Sequence, residues 1–417
     1  MDAVELGDAL WRGEARIEDH HPLFAVGEVT RVADGVAFVP SFANVGAIET
    51  GDGLVLLDAS SAMFADHVVR QLRSWSKARV ARIVFTHGHI DHVGGASSFD
   101  AEAAERGEGA IHVVAHEGVS SRFERYVRTA GYNAVINRRQ FGIDDLVWPT
   151  EYRYPDETYR DVLQFDVGGE SVELRHAQGE TDDHTYVWFP QRRVLGCGDL
   201  FIWACPNAGN PQKVQRYPSE WAMALRDMSK LGAQVMLPGH GFPIVGEERI
   251  ADGLTSAAEL LESVHDQTVA MMNEGASLDD ALHAVRVPEH LLEKPYLRPI
   301  YDEPEFIVRN VWRLYGGWFD GDPASLKPAP IAELARELAE LAGGVTRLAE
   351  RAVRLLDAGE YRLASHLAEL AFRAAPRDPG VRDVRRRVYE ERAIAETSTM
   401  AKGIFNAAAR DSSDPAP

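Results

Sequence analysis

The sequence predicts an α+β fold. A domain of short strands alternating with helices covers residues 1–246, and an all-α domain covers 247–410. Three observations predict it. Apolar runs of strand length, punctuated by Gly, Asp and Pro, continue as far as the turn PGHGFP. Stretches with apolar residues at helical spacing lie between them. From about residue 247 the strand signals stop, and the chain becomes rich in Ala, Leu, Glu and Arg at helical periodicity.

The elements follow in order. VAFVP (36–40), NVGAIET (44–50) and GLVLLD (53–58) read as strands, and MFADHVVRQLRSW (63–75) as an amphipathic helix. RIVF (82–85) is a buried strand, VGGASSF opens a helix, and IHVVA (111–115) is a strand again. From about 163 the pattern turns β-rich through LQFDV, SVELRHA, TYVWFP and RVLGCGD. A helix at SEWAMALRDMSKL (219–231) and a strand at QVMLP (234–238) close the first domain. In the second, LTSAAELLESVHDQTVAMMNEG is amphipathic. LAERAVRLLDAGEYRLASHLAELAFRAAPRDP resembles a single tetratricopeptide-like hairpin, with Gly-Glu-Tyr at its turn. Residues 411–417, ending DSSDPAP, read as a disordered tail.

Bulk properties narrow the function. With 417 residues the chain can hold two domains, and a formal charge of −20 argues against nucleic acid as a partner. A small anion is still compatible, because one local pair of basic residues can hold it. The two cysteines, Cys197 and Cys205, cannot build a disulfide framework or a Cys-based zinc site. The start, MDAVELGDALWRGEAR, lacks the features of a secretory signal, and no apolar run reaches membrane-spanning length. The expectation is a cytoplasmic chain with no membrane partner.

The chemistry concentrates in VFTHGHIDHVGG. His87 and His89 stand two apart after a strand, so in an extended loop they point the same way and can bind one ion. Asp91 and His92 are placed to hold a second. Imidazole nitrogen and carboxylate oxygen suit zinc, with iron or manganese as competitors. A His-rich surface loop is the plain alternative, but chance placement of H-x-H-x-D-H is on the order of 10⁻³. Asp58 and Thr86 flank the loop at strand ends and are candidates for orienting its ligands.

T-H-G-H-I-D-H resembles the signature of the metallo-β-lactamase superfamily. The resemblance implies an αββα sandwich and three later ligands at strand ends, for which the sequence offers His184 in GETDDHTYVWFP, Asp199 after RVLGCG and His240 in LPGHG. It implies His87, His89 and His184 on one zinc ion, Asp91, His92 and His240 on the other, and Asp199 bridging. It also implies hydrolysis, with Asp91 and Asp199 at the catalytic centre. A redox diiron relative would carry a carboxylate in place of His89, which favours a hydrolase.

A second resemblance bears on the substrate. PYLRPIYDEPEFIVRNVWRLYGGWFDGDPASLKP (295–328), above all VWRLYGGWFDGDPASL, is similar to the alkyl sulfatase group, whose helical domain mediates dimerisation. Trp312, Tyr315 and Trp318 recur three apart, as on an aromatic helical face, and DGDPAS makes a turn into a further helix. The resemblance implies a homodimer through the helical domain and an anionic ester substrate, a sulfate monoester of an alkyl or related alcohol. The sulfatase group carries glutamates where this chain is read to have His184 and Asp199, and the lipid-carrier-like domain of those enzymes is not expected here. Asn207, Lys213, Arg216 and Tyr301 are the candidate substrate-binding residues. Thioester, lactone or other carboxylic ester hydrolysis is the alternative, and a non-catalytic interaction protein on the same fold is the alternative of another class.

Overall fold

The computed structural model describes residues 1–413, and the chain separates into two compact units. The first comprises 1–130 and 149–317; the second comprises 131–148 and 318 onward.

The first unit holds two sheets. One has seven strands in sequential order: β1 (Thr30–Ala33), β2 (Val36–Val39), β3 (Val45–Thr50), β4 (Gly53–Leu57), β5 (Val80–Val84), β6 (His112–His116) and β7 (Glu157–Tyr159). Pairing is antiparallel from β1 to β4 and parallel from β4 to β7. The other sheet has six strands. These are β8 (Val162–Val167), β9 (Glu170–His176), β10 (Thr185–Phe189), β11 (Val194–Ile202), β12 (Val235–His240) and β13 (Ile244–Val245), in spatial order β13-β12-β11-β10-β9-β8.

The pleat explains why both faces of the first sheet are apolar. Side chains alternate along a strand. Val36 and Phe38 enter a core shared with Leu174, Val187 and Leu195 of the second sheet, whereas Ala37 and Val39 enter a core shared with Val68, Leu72, Phe99 and Phe123 of helices. The outer face of the second sheet is covered by helices Pro218–Ser229 and Glu247–Asn273, which supply Trp221, Leu225, Leu254 and Leu261 to the same core. The layers are therefore helices, sheet, sheet, helices.

The division at 246/247 is corrected. Helix Glu247–Asn273 is amphipathic as predicted, but its stripe of Ile250, Leu254, Ala257, Leu261 and Val264 closes the sandwich core rather than founding a new domain. The break falls after Gly317. The aromatic face is corrected too. Helix Pro304–Gly316 buries Trp312, while Tyr315 is exposed and Trp318 lies past the helix end, after Gly317 at φ 75°.

The second unit is helical. Val345–Asp357 and Tyr361–Ala374 form the predicted hairpin around Gly359, whose φ is 77°. Ala352, Leu355, Leu356, Ala364, Ala368 and Val388 make its core. Asp322 caps helix Pro323–Leu326 by accepting from the Ala324 N–H at 2.9 Å, so DGDPAS turns as read. Of the predicted tail, 411–413 belong to helix Thr399–Ser413, and 414–417 lie outside the described residues. Among the described residues no helix is long and apolar enough to cross a membrane.

Candidate metal centre

The loop after β5 and two neighbouring strands bring the candidate ligands together. The loop after β5 carries His87, His89, Asp91 and His92; Asp199 projects from β11; His240 ends β12. The parallel pairing of β11 and β12 sets Asp199 and His240 on neighbouring strands. Gly239 between them is a packing requirement: a Cβ there would fall on the Asp199 carboxylate and 2.9 Å from His92 Cε1.

Two ligand groups result. The first is His87, His89, Glu180 and Asp199; the second is Asp91, His92 and His240. His87 Nε2 stands 2.8 Å from His89 Nδ1 and 3.9 Å from Asp199 Oδ2. His89 Nδ1 stands 3.8 Å from Glu180 Oε1. In the second group His240 Nε2 is 3.4 Å from Asp91 Oδ2, and His92 Nε2 is 3.7 Å from the same oxygen. Asp199 reaches both groups, with Oδ1 at 3.3 Å from His92 Nε2 and Oδ2 at 3.4 Å from His240 Nε2.

Polar groups behind the ligands fix their orientation. The Asp58 carboxylate accepts from Thr86 N–H at 2.7 Å, Thr86 Oγ1 at 2.8 Å and His92 Nδ1 at 2.7 Å. With its hydroxyl proton given to Asp58, Thr86 Oγ1 is left to accept from His87 Nδ1 at 3.0 Å. Both histidines therefore carry their protons at Nδ1 and turn the Nε2 lone pair inward, as metal-binding histidines do. Asp58 adopts φ 64°, a left-handed conformation costing about 1 kcal/mol, which the surrounding bonds hold in place. Asp58 and Thr86 thus stand where the sequence placed them.

His184 is placed differently from its sequence reading. Its Nε2 accepts the Asp199 backbone N–H at 3.1 Å, and its ring stacks on His87 at 4.7 Å. That lone pair is consumed, and Glu180, four residues earlier, takes the fourth place in the first group. The sequence reading passed over Glu180. Its signal was the glutamate in GETDDH, together with the glutamates of the sulfatase group; the chain has such a glutamate after all.

Charge at the centre is uneven. Burial works against ionisation of Asp199, yet His240 and His92 beside it hold its carboxyl well below the ordinary range. Burial disfavours the charged form of His240, but Asp199 and Asp91 push it up to about 10. Glu180 is pushed well up by burial and by Asp199, against the pull of Arg216. Buried carboxylates this close demand compensating positive charge. His92 Nε2, Asp199 Oδ1 and Glu180 Oε2 are buried without hydrogen-bond partners. Cations between these atoms would satisfy all three, so the residues fit a binuclear metal site.

The substrate candidates divide. Asn207 Nδ2 donates to Glu180 Oε1, and Arg216 Nη2 approaches the same oxygen at 3.4 Å. Arg216 is fully buried, and it also donates to Val214 O at 2.7 Å and Asn207 O at 3.3 Å. Lys213 is half-buried; burial and Arg216 lower it to about 8, against the pull of Asp91 and Glu180. Asp302 anchors the loop by accepting from Gly209 N–H at 2.6 Å and Asn210 N–H at 3.2 Å. Tyr301 is half-buried against the sandwich core next to Asp302.

Comparison with known families agrees with this geometry. A family model described as metallo-beta-lactamase superfamily matches residues 39–240, spanning every ligand named above, and one described as alkyl sulfatase dimerisation matches 277–414. Residues 39–240 thus match the metallo-β-lactamase superfamily, and residues 277–414 match the alkyl sulfatase dimerisation domain. The chain is similar to a linear primary-alkylsulfatase from Pseudomonas sp., 29% identical over 82% of this chain and 69% of the relative. It is 25% identical to an alkyl/aryl-sulfatase from Saccharomyces cerevisiae, over 89% of this chain and 60% of the relative. The solved structure of a stereoselective inverting sec-alkylsulfatase from Pseudomonas sp. superimposes with a TM-score of 0.83 at 22% identity, covering 92% of this chain and 65% of that one. The chain thus spans about two thirds of the length of these relatives.

Proposed function

We propose that the protein is a binuclear zinc hydrolase that cleaves sulfate monoesters of alkyl or related alcohols. The observation that carries the reading is the pairing of two ligand groups, joined through Asp199, with Arg216 and Asn207 on the Glu180 side. Similarity to alkylsulfatases over more than four fifths of the chain supports the substrate class.

His87, His89, Glu180 and Asp199 would hold one ion; Asp91, His92 and His240, with Asp199 shared, would hold the other. Bound zinc supplies Lewis acidity and lowers the pKa of water at the site. The protein's own groups do the rest. Arg216 and Lys213 draw an anionic ester into an otherwise acidic chain, and Asn207 offers an amide donor beside them. Asp91, whose Oδ2 faces His92 and His240, would offer its other carboxylate oxygen to a proton from water. Asp58 and Thr86 hold His92 and His87 in the productive tautomer.

A homodimer is part of this reading. The dimerisation domain supports it, and so does helix Ile331–Leu341, where Ile331, Leu334, Leu338 and Leu341 form one exposed apolar face. A monodisperse species at the monomer mass in light scattering would contradict it.

The activity test compares inorganic sulfate release from alkyl sulfates with acid release from thioesters and lactones, using zinc-loaded protein. Sulfate release abolished by chelation is expected. Acid release alone would move the substrate class to carboxylic esters.

A further inference from the structure

We infer that Asn310 is a positioning residue for the hydrolysis: it holds the main chain of Arg216 and so sets where that guanidinium meets an anionic ester. The inference rests on the reading of Arg216 as an anion-binding group, and it adds which residue makes that group effective.

Arg216 lies in residues 203–217, between β11 and helix Pro218–Ser229, where the chain forms neither helix nor strand. A segment of this kind keeps a fixed course when other elements hold it. The guanidinium does little of that holding. Its Nη1 and Nε donate to Val214 O and Asn207 O, which belong to the same segment, and Nη2 meets Glu180. The place of the charge therefore follows from the place of the segment.

Helix Pro304–Gly316 and the residue before its cap fix the segment at two points. At the first, Asp302 accepts from the N–H groups of Gly209 and Asn210 in the segment and of Glu303 at the helix cap, the last at 2.8 Å. A Cβ on Gly209 would stand 2.6 Å from Ile307 N, so the segment lies directly on the first turn of the helix. At the second, Asn310 Nδ2 donates to Arg216 O at 3.0 Å, and its Oδ1 accepts from Arg216 N–H at 3.4 Å. The side-chain amide thus pairs with both main-chain groups of Arg216, as a neighbouring strand would. Oδ1 also accepts from Arg313 Nη2 at 3.0 Å and Gln215 Nε2 at 3.1 Å, which leaves the amide one orientation.

Packing alone does not account for an asparagine here. Asn310 is buried in the middle of a helix whose other buried residues are Ile307, Val308, Val311 and Trp312. Leucine would suit both the helix and the core better. The amide is explained by its bonds to the segment. Asn310 also falls within 277–414, the stretch matched to alkyl sulfatase dimerisation, so that stretch frames the site as well.

The experiment measures calorimetric binding of butanesulfonate and of pentanoate to the zinc-loaded full-length protein, and neither probe needs turnover. Asn310→Leu keeps the side-chain volume and favours the helix, so the fold is retained while both bonds to Arg216 are lost. Affinity for the anion that wild type binds more tightly is expected to fall about 10-fold, as a charge-assisted hydrogen bond from Arg216 weakens. Zinc content is expected to stay at about two ions per chain. In an Arg216→Gln background the same change is expected to have no further effect, because Asn310 acts through Arg216. Arg309→Gln, exposed on the same helix, is the control that binds as wild type does. If Asn310→Leu fails to fold, Gln215→Ala removes the other side-chain donor to Arg216 O and carries the test, with a loss of about 3-fold. Unchanged affinity in Asn310→Leu, or a loss that persists in the Arg216→Gln background, overturns the inference. A wild type that binds neither anion overturns it too. If alkyl sulfates are not cleaved but pentanoate shows the coupled loss, the positioning role stands and the sulfatase reading falls.

Discussion

His87 and His184 stack ring on ring, 17° from parallel, and both are fully buried, yet their nitrogens are spent in different ways. His87 sits in a loop whose backing groups, Thr86 and Asp58, take its Nδ1 proton and leave Nε2 to the ligand group. His184 sits in a loop that brings its Nε2 onto the Asp199 N–H, so its ring props the strand that presents Asp199. Within the second loop Glu180 does what His184 does not. Residue type is thus a weaker guide to ligation than what stands behind each ring.

The two loops are tied by Asp183. Its Oδ2 accepts from Gly88 N–H, between His87 and His89, at 3.2 Å and from Arg122 Nε at 2.7 Å. Burial disfavours its charge, but Arg122 holds the carboxyl far below the usual carboxylate range. Removing that charge breaks the comparison most severely. Asp183→Asn leaves Asp182 as the remaining anionic partner of the buried Arg122 guanidinium and removes a charged acceptor from Gly88 N–H, and it is expected to destabilise the protein by about 3 kcal/mol, read by denaturant unfolding. An effect under about 1 kcal/mol would show that the tether is dispensable.

Glu180→Gln should lower sulfate release at least about 100-fold, since removing a ligand costs no less than removing a group behind one. Asp58→Asn should cost about 10- to 100-fold in zinc affinity, read by competition with a chelating dye, because His92 loses the acceptor that fixes its tautomer. His184→Asn should act mainly on stability. Losing the acceptor for the Asp199 N–H is expected to cost about 1–3 kcal/mol, with zinc affinity little changed.

Much of the site was legible because its information is local. His87, His89, Asp91 and His92 fall within six positions after one strand, and His240 ends β12, whereas Asp199 lies inside β11 rather than at its end as expected. Glu180 and His184 could not be told apart in this way. Both lie in GETDDH, and the loop's path is set by contacts distant in sequence. Gly179 O accepts from Tyr217 N–H at 3.0 Å, and a Cβ on Gly179 would meet Trp221 at 3.1 Å. The domain break was hidden for a related reason. Periodicity in 247–273 reveals an apolar face, but not that the partners of Leu254 and Leu261 are Trp221 and Leu225 of the sandwich.

The most direct test of the account is metal stoichiometry, measured by mass spectrometry on zinc-loaded, dialysed protein for wild type, Glu180→Gln and His184→Asn. The account predicts about two ions per chain in wild type and in His184→Asn, and about one in Glu180→Gln. Full occupancy in Glu180→Gln together with loss of an ion in His184→Asn would contradict it and return His184 to the ligand set.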